Sequence, residues 1–253
     1  MKVLKVILII FLILVFLAGL GYALYPTVNG YVLTQNAHKD TVRFEARRDF
    51  VEAITPSEGD EAGERPYSAL WEAMLAYNEQ IYLEKQEGLC DAWAYQQPSF
   101  DLADYGVSDG IIGVISIPKL DMELPIYLGA SYDNMARGAV HLSQTSLPIG
   151  GENTNCVIAA HRGWAGADYF RHIDRLQPGD MVIVTNLWNT LRYEVSEVKI
   201  IAPDAVDEIL IREGEDMLTL LTCHPYLSGG KQRYVVYCKR IENLEGLILA
   251  NRK

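Results

Sequence analysis

The chain is predicted to be mainly β: a β-barrel of short strands with a few short helices, preceded by an N-terminal transmembrane helix and a helical segment that leads into a loop. Three observations predict this. From residue 110 onward, short apolar, β-branched and aromatic runs alternate with turn residues at close spacing, which suits an antiparallel or mixed barrel. Residues 6–24 are an unbroken run of apolar residues and glycine, about the twenty that a helix needs to cross a bilayer. Between these two regions, residues 68–86 carry apolar side chains at helical spacing.

Taken in order, residues 1–5 form a short N-terminus with Lys2 and Lys5, which favours leaving that side in the cytoplasm. The apolar core of a signal peptide is usually only about 7 to 15 residues. Residues 6–24 are therefore expected to stay as a single-pass anchor in the lipid bilayer, with the remaining chain on the extracellular face. Residues 25–87 read as a helical N-terminal region, interrupted at residues 55–66 by an acidic linker rich in glycine and proline. In the helix at 68–86, Leu70, Met74, Tyr77 and Ile81 make one stripe with Trp71, Leu75 and Tyr82 beside it, a surface for docking on a core. Gly88 ends that helix, and residues 88–105 show neither helical nor strand period. The barrel is placed at residues 106–242, with strands at 111–117, 123–127, 157–160, 181–185, 191–201, 218–222 and 234–240. Residues 186–189 suit a hairpin loop, and short helices are expected at 168–176 and 204–211. Residues 243–253 form a tail whose apolar patch at 247–250 is far too short to span a membrane.

Composition narrows the function. A formal charge of −11, from 22 basic and 33 acidic residues, argues against nucleic acid and against polybasic lipid contacts. Cys90, Cys156, Cys223 and Cys238 are too few and too irregular for a disulfide framework, and no Cys-x-x-Cys pair suggests zinc. Cys156 and Cys238, each on an apolar strand, are expected in the core. No glycine-rich phosphate loop, internal repeat or heptad run is present.

The chemistry concentrates near the C-terminus. Residues 217–240 read as strand, loop, strand, with Cys223 at the end of the first strand and Arg233 at the start of the second. If the strands are neighbours, thiol and guanidinium face one cleft. Positive charge favours the thiolate, and a guanidinium can steady a developing oxyanion. His161, at the end of the apolar run Cys156-Val-Ile-Ala-Ala, supplies a proton-transfer group. A cysteine and a histidine far apart in sequence, each at a strand end beside a loop, fit thiol acyl transfer. A thiol phosphatase would also pair Cys with Arg, but it needs them about one loop apart around a backbone cradle that is missing here. A membrane-anchored β-barrel binding module without catalysis is the other reading, and there Cys223 is inert.

These strings resemble the sortases, the cysteine transpeptidases of Gram-positive cell surfaces. Thr219-Leu-Leu-Thr-Cys223 is similar to the family's sequence around its nucleophile, and Ala160-His161-Arg162-Gly163 to that around its histidine. The match extends through Gly138-Ala-Val-His-Leu142, Thr145-Ser-Leu-Pro148 and Leu176-Gln-Pro-Gly-Asp180, over about residues 110–241. The resemblance implies that Cys223 is the nucleophile, His161 the proton-transfer residue and Arg233 the oxyanion-stabilising arginine, with no metal or organic cofactor.

Asp91-Ala92-Trp93 resembles the lid motif of class C sortases, the pilus-building branch, with Ala92 in place of proline. That implies a lid in which Asp91 pairs with Arg233 and Trp93 covers Cys223. The implied substrates are proteins with an LPxTG-like sorting signal, cleaved between Thr and Gly, and the implied acceptor is a pilin lysine or a peptidoglycan precursor. His224 departs from the commoner Cys-Thr-Pro-Tyr string; a local hydrogen bond is expected of it, an accessory catalytic part being the alternative. Many class C enzymes carry a second transmembrane helix after the barrel, and residues 242–253 cannot form one. Pilin polymerisation is the leading expectation and attachment of surface proteins to the wall the alternative.

Overall fold

The computed structural model describes residues 2–55, 66–89, 98–227 and 229–241. Its first element, α1 (Lys2–Ile54), joins the apolar run and the charged segment after it in one helix of 53 residues that passes through Pro26. The sequence separates the two only by composition; no turn signal stands between them, and one proline removes a single hydrogen bond. Over residues 6–17 the helix is apolar and exposed on every side. Further along, Ala37, Phe44 and Val51 form a buried stripe against the barrel.

α2 (Ser68–Leu83) buries Leu70, Met74, Asn78 and Ile81. Asn78 ties it to the barrel, accepting from the Leu147 N–H at 2.7 Å, while Trp71 meets Trp188 edge-on at 4.9 Å between ring centres. The helix stops before the predicted residue 86 because Lys85 and Gln86 adopt left-handed backbone, at φ 51° and 55°. Gln86 is then pinned between two loops, its amide donating to Gln144 O at 2.8 Å and accepting from Ile211 N at 2.6 Å.

The barrel closes in the order β1 (Ile111–Ile117), β2 (Met122–Leu128), β3 (Ala139–His141), β4 (Thr154–Ala159), β9 (Asp216–His224), β10 (Gln232–Arg240), β8 (Thr190–Ile201), β7 (Met181–Thr185). It is mixed: β2–β3 and β4–β9 are parallel, the other pairs antiparallel. A separate hairpin, β5 (Arg162–Trp164) and β6 (Ala167–Tyr169), follows β4 directly. α3 (Tyr132–Arg137) fills the β2–β3 connection, its N-cap Ser131 accepting from Asn134 N. β3, β5 and β6 escape a periodicity search because three residues are too few to show alternation. The helices expected at 168–176 and 204–211 are single 3₁₀ turns, Ile173–Arg175 and Val206–Ile209. In the first, Tyr169 is instead used to pair with Arg162 in the hairpin.

One polar node fastens α1 to this barrel. Asp40 accepts from Tyr127 Oη at 2.5 Å, from Arg137 Nη2 at 2.9 Å and from Arg43 Nη1 at 3.1 Å. Burial alone would raise its carboxyl, but hydrogen bonds from Tyr127 and Arg137 and the charges of Arg137 and Arg43 outweigh that and hold it below 3.8. Further along, Arg47 pairs with Asp109 and Arg48 reaches Thr190 Oγ1 at 3.0 Å. Asp40→Ala is expected to cost about 2–3 kcal/mol in chemical denaturation, because Tyr127 and Arg137 lose their acceptor. Arg43→Ala, at the exposed side of the node, should cost no more than about 1 kcal/mol. Since the folded carboxyl titrates low, the Asp40 contribution should be complete above its ordinary range and fade as pH falls through it.

Candidate active site

Cys223 and Arg233 face each other directly across the antiparallel β9–β10 ladder, so their side chains leave the same face of the sheet. Cys223 is part-exposed and Arg233 is buried at 5 %. The β9–β10 loop then folds back over both. Gly230, at φ 78°, lies close over the pair: a Cβ there would stand 3.2 Å from Arg233 Nη1 and 3.3 Å from Cys223 Sγ, tighter than ordinary contact. Arg233 Nη1 donates to Gly230 O at 2.6 Å, so the guanidinium is aimed across the thiol by the loop's own carbonyl.

His161 arrives from the other side of β9. β4 runs parallel to β9 with Ala159 opposite Leu221, and continuing that register by two residues brings His161 level with Cys223. The histidine does not end the strand as the sequence suggests; it lies two residues beyond, where Ala160 N donates to Leu221 O at 3.2 Å and Thr222 Oγ1 donates to Ala160 O at 2.8 Å. Its ring stacks on Trp164 of β5, centres 4.5 Å apart and planes within 13°. The hairpin therefore sets the imidazole's plane, and Phe170 N donating to His161 O at 3.0 Å closes the turn.

Burial governs the protonation of this pair. It pushes the Cys223 thiol above its ordinary 9.0, although Arg233 and then Arg162 pull in the opposite direction. It pushes the His161 imidazole below 6.5. Near neutral pH the resting pair is thus mostly thiol and neutral imidazole. Cys156 and Cys238 are fully buried thiols raised much further, which suits core residues. The buried His141 imidazole is pushed down to about 4 and faces the Thr145 and Ser146 carbonyls through Nε2.

Arg162 is the residue that the sequence does not single out, although it directly follows His161. Its buried guanidinium donates through Nη1 to His224 Nδ1 at 2.7 Å and through Nη2 to Asp174 Oδ2 at 2.6 Å, and it lies over the Tyr234 ring at 5.7 Å. This accounts for His224 as a local hydrogen-bonding residue: its Nδ1 accepts, so the neutral ring carries its proton on Nε2. Burial, then the Arg162 charge, keep it below 6.5 against the pull of Asp174. Asp91 and Trp93, the two residues expected to form a lid, lie outside the described residues. Among the described residues no cluster of three or more His, Cys, Asp or Glu is arranged to hold a metal ion.

The sortase domain model matches residues 115–241, which contain all three residues of this constellation. The chain belongs to the sortase family. Its solved neighbours are mostly sortases of the C class. A lid mutant of Streptococcus agalactiae sortase C1 superposes with a TM-score of 0.63 at 34 % identity, over 73 % of this chain and 94 % of that one. Streptococcus pneumoniae sortase C, a structure described as informative on catalysis and pilin substrate specificity, gives 0.66 at 31 %, over 79 % and 96 %. In sequence, sortase D of Bacillus subtilis is 30 % identical over 131 residues, 51 % of this chain and 63 % of that protein, so the alignment spans just under two thirds of that relative.

Alkylation of Cys223 by iodoacetamide, followed by peptide mass mapping, should show a thiol titrating above 9.0 in the native chain. Arg233→Ala and Arg162→Ala each remove a charge that favours the thiolate, so each should slow alkylation near neutral pH, by up to about tenfold.

Proposed function

We propose that this chain is a membrane-anchored extracellular cysteine transpeptidase of the class C kind, joining a protein with an LPxTG-like sorting signal to a lysine amine of a pilin subunit. The observation that carries the reading is the convergence of Cys223, Arg233 and His161 at one end of the barrel, across two adjoining strand pairs. The neutral resting pair is in equilibrium with a minor form in which the proton has moved from Cys223 Sγ to the imidazole. The thiolate of that form attacks the carbonyl carbon of the Thr–Gly bond. Arg233 N–H groups, pre-aimed by Gly230 O, take up the charge on the carbonyl oxygen. As the tetrahedral adduct collapses, the C–N bond breaks and imidazolium hands its proton to the departing glycine amine. A thioester on Cys223 remains, and neutral His161 accepts the proton of the incoming lysine amine as the isopeptide bond forms and the thiolate leaves.

The lid role of Asp91 and Trp93 belongs to this proposal. A carboxylate beside a guanidinium fork is a well-matched pair, and an indole over a thiol excludes water. The similar lid-mutant structure of sortase C1 supports treating this stretch as a gate. Residues 6–24 as the anchor, with Lys2 and Lys5 inside, put the barrel on the outer surface, where sortases act.

Both proton positions of the reactive pair must be right at once, so its share stays constant between the two titrations and falls outside them. Peptide cleavage, as kcat/KM, should therefore show a broad plateau with its acid limb below 6.5 and its alkaline limb above 9.0. A rate still rising beyond the thiol titration would contradict His161 as the acid. Arg233→Ala should lower kcat by roughly 10²–10³-fold, and Asp91→Ala with Trp93→Ala should raise cleavage of a short sorting peptide.

A further inference from the structure

The contact between the β5–β6 hairpin and α1 falls at an informative height. Asn29 Nδ2 donates to Ala165 O at the hairpin tip, 2.8 Å away. A Cβ on Gly166 would stand 1.8 Å from Pro26 O, and one on Gly30 would stand 2.2 Å from Gly166 O. Backbone lies against backbone here, and neither glycine can carry a side chain without parting the two. Because α1 is continuous, the height of this contact above the apolar run follows from helix rise alone. Residues 26–30 stand about 3–9 Å past residue 24, and the headgroup layer beyond the hydrocarbon is about 5–8 Å deep on each side.

The rest of α1 gives the direction. From the hairpin it runs past Asp40 at β2 and α3 to Arg48 at Thr190, the first residue of β8. Arg233 pairs with Ile201 at the other end of β8, so Thr190 is at the pole away from Cys223. The catalytic pole is the one nearest the apolar run. Tyr22, Tyr25 and Tyr31 are exposed around this level of α1, and Trp164, stacked on His161, meets exposed Tyr132 edge-on at 6.1 Å. Tyrosine and tryptophan favour the membrane–water interface.

We propose that the catalytic end of the barrel is held against the outer face of the bilayer, with the β5–β6 hairpin lying among the lipid headgroups; this rests on residues 6–24 being a membrane span. The partner at this surface is the bilayer, met by aromatic rings and backbone. A sorting signal then reaches Cys223 at headgroup height, which selects substrates still held in the same membrane. The His161 loop is also fixed by the helix that fixes the protein in the membrane.

The test uses the full chain in vesicles of phosphatidylcholine with a minority of phosphatidylglycerol. Nitroxide labels go on Phe16→Cys, Ala165→Cys or Glu213→Cys, in a Cys90→Ser/Cys223→Ser background where Cys156 and Cys238 are buried. Ala165 and Glu213 are both exposed, and Glu213 precedes β9 at the far pole, about 25–30 Å from Cys223 along the strand. Collision with lipid-soluble oxygen and with an aqueous nickel chelate is read at each label. The Phe16 label should be lipid-like, and the Ala165 label should meet the nickel chelate at least about threefold less often than the Glu213 label. A lipid-like Phe16 label with equal nickel access at Ala165 and Glu213 would overturn the proposal and leave the span intact. A water-exposed Phe16 label would overturn the span and the proposal together.

Discussion

The structure depends on the register of one strand. β9 pairs in parallel with β4 on one side and antiparallel with β10 on the other, and these two registers alone bring His161, Cys223 and Arg233 to the same level. A slip of one residue in either pair would turn the affected side chain to the opposite face. Polar ties inside the core guard against it. Thr219 Oγ1 donates to Asn155 Oδ1 at 2.8 Å, Asn155 Nδ2 donates to Ile209 O at 2.9 Å, and Thr222 Oγ1 reaches Ala160 O. Each satisfies a buried polar group only in this register, so a shifted pairing would leave unpaired groups in an apolar core.

Charge around the thiol is arranged in two layers. Arg233 is the nearer cation, held by the Gly230 and Gln232 carbonyls. Arg162 is the further one, held between Asp174 and His224. Burial nonetheless dominates and leaves the thiol protonated at rest. That combination keeps the thiol in its less reactive protonated form while both cations stand ready to favour negative charge on the sulfur. His224, beside Cys223, makes the local hydrogen bond expected of it, its Nδ1 accepting from Arg162.

Much of this was legible in the chain. The strands at 111–117 and 181–185 show their bounds directly, because β-branched runs there end at turn residues. Cys223, His161 and Arg233, which the strand registers bring to one level, were legible because each sits in a distinctive local string. What was not legible is non-local or too short to have a period. β3, β5 and β6 have three residues each, yet the β5–β6 hairpin carries the Trp164 ring under His161 and grips α1. Gly30 and Gly166 look like ordinary glycines until their backbones are seen in contact. Asp40, one acid on a charged helix, gains its meaning only from Tyr127 and Arg137, which lie far away in sequence. The continuity of α1 through Pro26 was hidden by the change of composition at residue 25.

The most direct test of the central claim, that these three side chains form one acyl-transfer site, is intact mass spectrometry of the protein mixed with an LPxTG-type peptide, with and without hydroxylamine. A thioester adduct is expected that maps to Cys223, disappears with hydroxylamine as peptide hydroxamate is released, and is missing in Cys223→Ala and His161→Ala. A folded protein that gives no adduct and no cleavage, with the lid pair intact or replaced and across several sorting peptides, would contradict it.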